Sequence, residues 1–206
     1  MRNLALAASA LALILPAAAD QTLEGVSAGL YELEPTHAFL TWGVGHAGGI
    51  STYTVNFTDY DADLIFDPED PIASRISVTI NPTALQTNYP DPVKKAEWEN
   101  ELANDAKFFN AGEFPEITFV STSAEKTGEF TGTVTGDLTF LGMTKPVTMD
   151  VTYNGMANMP WYGQRDLIGF DASTTIKRSE FGLTAMIPNI SDEVEINFSG
   201  EFLQAE

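Results

Sequence analysis

Alternating apolar and polar residues constrain the fold of this chain more than any other feature. Within residues 193–202, Val194, Ile196 and Phe198 point to one face, and the intervening Glu and Asn side chains point to the other. Such a strand has one dry and one wet face, which antiparallel sheets allow and parallel sheets do not. Similar stretches recur over residues 76–80, 117–119, 130–140, 147–153 and 168–176.

The number and spacing of these stretches predict an all-β domain. We count roughly eight strands, at the spacing expected of a barrel or a sandwich. Because closure removes the edge strands that would otherwise aggregate, we predict an antiparallel eight-stranded barrel. Residues 142–146, GMTKP, contain a glycine and a proline and predict the connection of a hairpin between two of the strands.

One segment follows a helical period instead. Trp98, Leu102 and Ala106 recur four residues apart among Lys and Glu residues, shortly after Pro92. This pattern predicts one short amphipathic helix with proline near its first turn. Three phenylalanines follow at 108, 109 and 114. The helix and this aromatic connector therefore either form a lid over a cavity or fill the barrel end as ordinary core.

The N-terminus indicates export. Arg2 precedes an apolar run over residues 4–15, Pro16 breaks that run, and three alanines then offer a cleavage site after Ala19. The run is shorter than the ~20 residues of a spanning helix. We therefore predict a signal peptide over residues 1–19 and a periplasmic mature domain over residues 20–206. No second apolar run follows, so we expect no membrane span in the mature protein.

The net charge and the cysteine content limit the classes of partner and of chemical site that the protein can have. The chain has 29 acidic and 10 basic residues, a net charge of −19. Such an acidic protein repels phosphate backbones, which argues against nucleic acid as a partner, and the charge also keeps it soluble. Cysteine is absent, which excludes disulfides, cysteine nucleophiles and zinc–thiolate sites. The sequence is compatible with a monomer and with a homodimer.

Two groups of residues invite a metal interpretation. His37 and His46 are an odd number of positions apart, so on one regular strand they point to opposite faces, and we predict no metal site there. Asp59, Asp61 and Asp63 resemble the start of a calcium loop, but Leu64 stands where that loop needs glycine. We expect the carboxylates of these three residues to form a solvent-exposed row on the outer face of a strand. Weak calcium binding by Asp67, Glu69 and Asp70 remains an open alternative.

Catalytic motifs do not stand out. The sequence has no G-x-S-x-G elbow, no H-E-x-x-H helix and no phosphate loop. A Ser–His–Asp triad would have to use one of only two histidines. We therefore expect a protein that is not an enzyme and needs no cofactor.

Five stretches, in order, resemble the sequence motifs of a known protein family. Residues 37–46, HAFLTWGVGH, are similar to its H-S-x-V-x-F-x-V-x-H motif, and residues 108–119 are similar to F-F-D followed by Y/F-P-x-I-x-F. Residues 136–147, GDLTFLGMTKPV, resemble G-x-L-T-I/L-x-G-x-T-K-P-V. Residues 178–182 and 192–194 resemble R-S-D-F-G and G-D-x-V. Together the motifs span nearly the whole mature chain, and they resemble those of the YceI family.

The resemblance implies a lipocalin-like barrel that binds polyisoprenoid or similar lipid chains in the bacterial periplasm. One departure concerns the head of such a ligand, because the family's R-D-x-H-L segment is WENEL at residues 98–102, without its Arg and His. The cations left near matched motifs are Lys145, Lys177 and Arg178. An anionic head needs cations to offset its charge. We therefore expect a neutral head, such as that of a quinone.

The resemblance and the strand parity together predict the residues that bind the ligand. Leu40, Trp42 and Val44 should line the interior on the inward parity, while the three phenylalanines of the connector should guard the entrance. A structural or protein-interaction β-domain is the alternative, and an envelope hydrolase is another. The predicted binding residues are Leu40, Trp42, Val44, Phe57, Phe66, Ile76, Val78, Ile80, Phe108, Phe109, Phe114, Phe119, Leu138, Phe140, Met149, Phe170 and Ile196.

Overall fold

The computed structural model describes residues 21–206. The signal peptide predicted for residues 1–19, with its cleavage site after Ala19, lies outside the described residues. Three short 3-10 helices, Pro71–Ala73, Pro160–Tyr162 and Arg178–Phe181, lie in connections. The main elements are β1 (Gly29–His46), β2 (Ser51–Phe57), β3 (Tyr60–Phe66), β4 (Arg75–Ile80), β5 (Leu85–Gln86), α1 (Pro92–Asn104), β6 (Ile117–Lys126), β7 (Thr131–Phe140), β8 (Met143–Asn158), β9 (Asp166–Lys177) and β10 (Ile190–Gln204).

The strands close into one antiparallel barrel. The sheet order is β10-β9-β8-β7-β6-β4-β3-β1-β2-β5, and an additional pairing of β10 with β1 closes it. Strand β3 pairs with the first part of β1 and β2 with its last part, so both occupy one position in the barrel wall. Strands β4 and β5 likewise follow each other beside β3 and β2. Within residues 21–206, ten strands therefore fill eight positions, which confirms the predicted eight-stranded barrel.

A break in β1 divides the barrel into two levels. The register between β1 and β10 shifts between Glu34 and Ala38, and Pro35 lies inside this bulge. Proline has no N–H to give to a β-ladder, so it is found at such irregular positions. The neighbouring wall is interrupted as well, between Phe57 and Tyr60. The bulge thus marks the boundary where β1 changes its partner from β3 to β2.

The β7–β8 hairpin is tighter than the sequence indicated. Its turn consists of Leu141 and Gly142, both with positive φ, at 50° and 72°. A two-residue turn with two positive φ values matches the twist of the flanking strands. Pro146, which we had assigned to the connection, instead lies within β8 opposite Asp137.

Helix α1 covers one end of the barrel. The Asp91 side chain caps it by accepting hydrogen bonds from the backbone N–H groups of Val93 and Lys94, and proline follows in the first turn. Leu102 is buried towards the barrel. Ala106 lies beyond the last helical residue and takes no part in the predicted apolar stripe. Within residues 21–206, no helix is long and apolar enough to cross a membrane.

Two apolar clusters lie one above the other inside the barrel. The lower one, which we call the packed half, is built around Tyr31, Phe66, Tyr153, Ile168 and Phe202. The upper one, which we call the hollow half, lies below α1 and is built around Leu40, Val55, Phe119, Leu138 and Phe140.

The N-terminal segment, residues 21–28, packs onto the packed half. Val26 is buried there, and the Tyr31 hydroxyl donates to the Ser27 carbonyl at 2.7 Å. The buried Asp166 carboxylate accepts from the Ser27 N–H at 2.7 Å and from the Asn158 side chain at 2.8 Å. This end of the barrel is thereby held together by buried hydrogen bonds as well as by packing.

Candidate functional site: an apolar cavity below the helix

The hollow half contains a cavity of about 530 Å³. All eight positions of the barrel wall contribute inward-facing side chains to it. Ligand pockets in proteins usually have volumes of roughly 300–1,000 Å³ and mostly apolar walls. The cavity is therefore large enough for a small-molecule ligand rather than for a few waters.

The middle of the cavity wall is aliphatic. Val78, Val147, Ile176 and Ile196 come from four different strands and face the same space. Side chains of this length project only part of the way to the barrel axis, whereas the rings of the packed half meet across it. The cavity exists because this belt leaves the centre unfilled.

Aromatic side chains cap the cavity under α1. The Trp98 ring lies edge-on to Phe108 at 5.5 Å between centroids, and Phe109 contacts both Trp42 and Phe140 at 5.7 Å. The contacts of Trp98 with Phe108 and of Phe109 with Trp42 are edge-to-face, a geometry that stabilises ring clusters beyond the area they bury. Trp98 and Leu102 of the helix face the cavity together with both phenylalanines. The helix and its connector thus form a roof over the cavity.

A hydrogen bond joins this roof to the wall. Trp98 Nε1–H donates to the Tyr53 hydroxyl of β2 at 2.9 Å. The carboxylate of the next helical residue, Glu99, accepts from the backbone N–H of the buried Thr87 at 2.6 Å. Both bonds hold α1 against the rim of the barrel.

Most of the predicted binding residues surround this cavity. Three of the seventeen lie elsewhere, namely Phe66, Phe114 and Phe170. The binding role of the others stays a prediction, since the structure fixes only their position. The fourteen that line the cavity are Leu40, Trp42, Val44, Phe57, Ile76, Val78, Ile80, Phe108, Phe109, Phe119, Leu138, Phe140, Met149 and Ile196.

Phe66, Phe114 and Phe170 lie outside the cavity for different reasons. Phe66 and Phe170 point inward as expected, but at the level of the packed half, where their rings meet at 5.8 Å. Phe114 lies half-buried against the β7–β8 turn, where its ring would contact a Cβ added at Gly142. It follows the connector without entering the cavity. Strand parity gave the correct face for the first two and no information about their height along the barrel.

Sequence reasoning missed several lining residues. Ile176, Val194 and Phe198 share the inward parity of residues that we did predict, so the same signal could have found them. Leu183 and Ala185 belong to the loop between β9 and β10, where no periodic pattern exists. Their position follows from the fold of that loop.

Among the Lys and Arg residues of the described part of the chain, Arg178 is the one that lines the cavity. Its guanidinium is buried and donates to the backbone carbonyls of Ser191 and Ala185 at 2.8 Å and of Ile190 at 3.1 Å. Burial lowers the pKa of Arg178, and the charge of Asp192 opposes this. The side chain organises the loop between β9 and β10, so its charge is already engaged by the protein.

The two histidines lie in different places. His46 borders the cavity at the end of β1. His37 lies outside the barrel in the β1 bulge, where its Nδ1 is 2.6 Å from Glu34 Oε2 and 3.7 Å from Glu201 Oε2. The hydrogen bond to Glu34, together with the charge of Glu201, raises the pKa of His37 above its usual value.

Within residues 21–206, Glu34, His37 and Glu201 form the one group of three potential ligand residues that could hold a metal ion. Its three ligand atoms lie within 4.8 Å of one another. The sequence analysis had considered His37 only together with His46. The three acidic residues for which we kept calcium binding open do not form such a group: Asp67 instead accepts hydrogen bonds from the backbone of Glu69 and Asp70.

Comparison with known proteins agrees with this architecture. The profile of the YceI-like domain family matches residues 31–202. The chain belongs to the YceI-like family. Protein YceI of Salmonella arizonae is 37% identical over 171 residues, which cover 83% of this chain and 84% of that protein.

Solved structures of similar fold include the YCEI protein of Campylobacter jejuni. It has 31% sequence identity and a TM-score of 0.65, over 76% of this chain and 88% of that one. A polyisoprenoid binding domain from Saccharophagus degradans, implicated in plant cell wall breakdown, has a TM-score of 0.59 at 15% identity. That match covers 87% of this chain and all of that domain, and at this identity it shows a shared fold.

Proposed function

We propose that this YceI-like protein binds a long-chain apolar ligand inside its barrel and carries or stores it in the periplasm, without catalysis. The roofed, apolar cavity of the hollow half is the observation that carries the proposal. The fold shared with a polyisoprenoid binding domain supports it. An isoprenoid chain, an isoprenoid quinone or a similar lipid is the class of ligand that fits such a wall.

Apolar burial alone supplies enough affinity for such a ligand. Each buried CH₂ group contributes about 0.8 kcal/mol. About ten such groups therefore contribute ~8 kcal/mol, which corresponds to micromolar binding before the ordering of ligand and side chains is subtracted. A long chain reaches this range without charged contacts.

The polar groups around the cavity favour an uncharged head. Arg178 lines the cavity but gives its donors to backbone carbonyls, and neither Lys145 nor Lys177 lines it. An anionic head buried here would lose its water without gaining a free cation. A neutral head such as a quinone avoids that loss.

The two alternatives make different demands on the interior. A structural or protein-interaction domain needs no internal space, whereas the hollow half has about 530 Å³ of it. A hydrolase needs a histidine beside a nucleophile in the cavity. The His37 side chain hydrogen-bonds Glu34 outside the barrel, which removes one of the two available bases from that role.

The proposal is tested by filling the cavity. Val78→Trp combined with Phe140→Trp places two larger rings in the lining, and the matched control, Phe39→Trp combined with Val120→Trp, changes the same residue types on the exposed outer face. Each protein is purified from its native envelope, extracted with organic solvent and analysed by mass spectrometry. We expect bound lipid with the wild type and the control, and loss of most of it with the lining variant while circular dichroism shows an intact fold. Equal lipid content in a folded lining variant would overturn the proposal.

A further inference from the structure

Two hydrogen-bond donors beside the cavity have no partner. Within residues 21–206, Trp42 Nε1 and the Tyr60 hydroxyl are the buried side-chain nitrogen and oxygen atoms that make no hydrogen bond. Other polar groups around the same cavity are paired, as shown by Trp98 with Tyr53 and by Arg178 with its carbonyls. The two unpaired donors are therefore an exception within one site.

Both donors belong to the same side of the barrel. Trp42 lies on β1 between Leu40 and Val44, and its ring contacts Phe57 and Phe109 at 6.5 and 5.7 Å. Tyr60 begins β3 and packs against both the hollow and the packed half. The Tyr60 oxygen lies near the backbone of Leu40, whose N–H can only donate, so the hydroxyl proton of Tyr60 has no acceptor. Residues two apart on a strand are separated by roughly 7 Å, so Leu40 and Trp42 place both donors on one stretch of wall.

Neither donor can lose its proton or find water easily. Burial raises the pKa of Tyr60 to about 12, with a smaller opposing effect of the Leu40 N–H, so the phenol is protonated at neutral pH. The indole N–H is a donor only. Both atoms are closed off from solvent, and the cavity beside them has few polar partners for a water molecule.

An unpaired buried donor has lost its hydrogen bonds to water without replacing them, so native proteins keep few such groups. Both residues line the cavity but their donor atoms are buried, so the ring must rotate towards the cavity before a ligand acceptor can take the hydrogen bond. This hydrogen bond is available to an acceptor that is attached to an apolar chain, because the rest of the cavity wall makes favourable contacts only with apolar groups.

We propose that the cavity selects ligands that combine a long hydrocarbon chain with an uncharged oxygen acceptor, and that Trp42 and Tyr60 hydrogen-bond this oxygen inside the barrel. A ketone, quinone or ester carbonyl is such an acceptor. The proposal rests on the proposed function and adds to it a chemical class and two residues that determine specificity. An anionic oxygen is disfavoured because no free cation of the described residues faces the cavity.

The test measures how two probes partition from neutral phosphatidylcholine vesicles into the delipidated full-length mature protein. Octadecane and 2-octadecanone, both radiolabelled, differ in one carbonyl oxygen on chains of similar length. We expect the wild type to take up the ketone about tenfold better relative to the alkane, as one or two net hydrogen bonds provide. Equal uptake of the two probes by the wild type would overturn this inference and leave the proposed function intact. Failure to take up either probe would overturn both.

Variants assign the preference to the two donors. In Trp42→Phe combined with Tyr60→Phe, both rings remain and both donors are removed, so the preference for the ketone should fall to within about twofold of unity while the alkane still binds. Trp98→Phe is the matched control, since it truncates another lining indole whose N–H is already paired with Tyr53. It should change uptake of both probes by the same factor. A double variant that keeps the full ketone preference would contradict the assignment.

Discussion

The two halves of the barrel are built by the same strands with the same alternation, yet one is solid and the other hollow. In the packed half, Tyr31 and Ile168 are completely buried, and Phe66 of β3 meets Tyr153 of β8 at 6.3 Å and Phe170 of β9 at 5.8 Å across the interior. In the hollow half, aliphatic side chains form the middle of the wall, and the strand rings of Trp42, Phe57 and Phe140 contact Phe109 of the roof. The comparison teaches that the placement of aromatic residues along the strands decides where the barrel is filled.

The division also separates stability from binding. The packed half has ring contacts and the hydrogen-bonded Asp166, and it lies away from α1. The hollow half has unfilled space and two unpaired donors, both of which lower stability in the free protein. We interpret the packed half as the support that allows the other half to stay open.

The largest expected effect tests this separation directly. Ile168→Ala in the packed half should lower the free energy of unfolding by about 2–5 kcal/mol, because it leaves a cavity in a fully packed region. Ile80→Ala makes the same truncation in the cavity lining, where one side of the residue has no neighbours, and it should lower stability by roughly half of that or less. Urea unfolding followed by tryptophan fluorescence measures both. Equal losses would mean that the halves are packed alike.

A second prediction concerns the polar part of the packed half. Asp166→Asn should lower the free energy of unfolding at neutral pH by about 1–3 kcal/mol, since it weakens hydrogen bonds to a buried charge. Burial raises the pKa of Asp166, but the bonds from Ser27, Asn158 and Tyr31 outweigh it and leave the pKa lowered.

The pH dependence of this effect has a defined sign. A lowered folded pKa contributes stability that is present above the unfolded pKa of about 3.9 and is lost as the pH falls through the folded value. The difference between wild type and Asp166→Asn should therefore shrink in acid, as measured by urea unfolding at several pH values. Asp171→Asn, on the exposed face of β9, should show no such difference.

The third prediction concerns the roof of the hollow half. Trp98→Phe removes the hydrogen bond to Tyr53 and should speed ligand release about 2- to 10-fold, with little change in the unfolding midpoint. Stopped-flow transfer of a bound fluorescent lipid to vesicles measures the rate. Trp161→Phe, at an exposed position beside the packed half, is the control and should leave the rate unchanged. Unchanged release in Trp98→Phe would show that the roof does not limit exit.

The smallest effect is expected at the bulge between the halves. The hydrogen bond that His37 donates to Glu34 raises the pKa of His37 above its ordinary value of 6.5, so Glu34→Gln should return it towards that value in an NMR titration. A raised pKa stabilises the fold below the unfolded pKa, and this contribution is lost as the pH rises through the folded pKa. An unchanged titration would show that Glu201 rather than Glu34 controls the imidazole.

The sequence alone determined the local structure and the class of fold. The alternation of residues such as Val194, Ile196 and Phe198 identified the strands and their inward faces, and the spacing of Trp98 and Leu102 identified the helix. These signals depend on the period of the backbone and on the difference between buried and solvent-exposed positions. Both are visible in residues that are close together in the sequence. The closed eight-position barrel followed because such strands need partners on both edges.

Only the tertiary structure decided what the interior does. Parity tells which face a residue takes, but its height in the barrel depends on strand stagger and on bulges such as the one after Glu34, which are set by pairing between distant segments. For this reason Phe66 and Phe170 could not be separated from the cavity lining in advance. The unpaired donors of Trp42 and Tyr60 are likewise invisible in the sequence, because whether a buried donor is satisfied depends on every group that the fold brings near it.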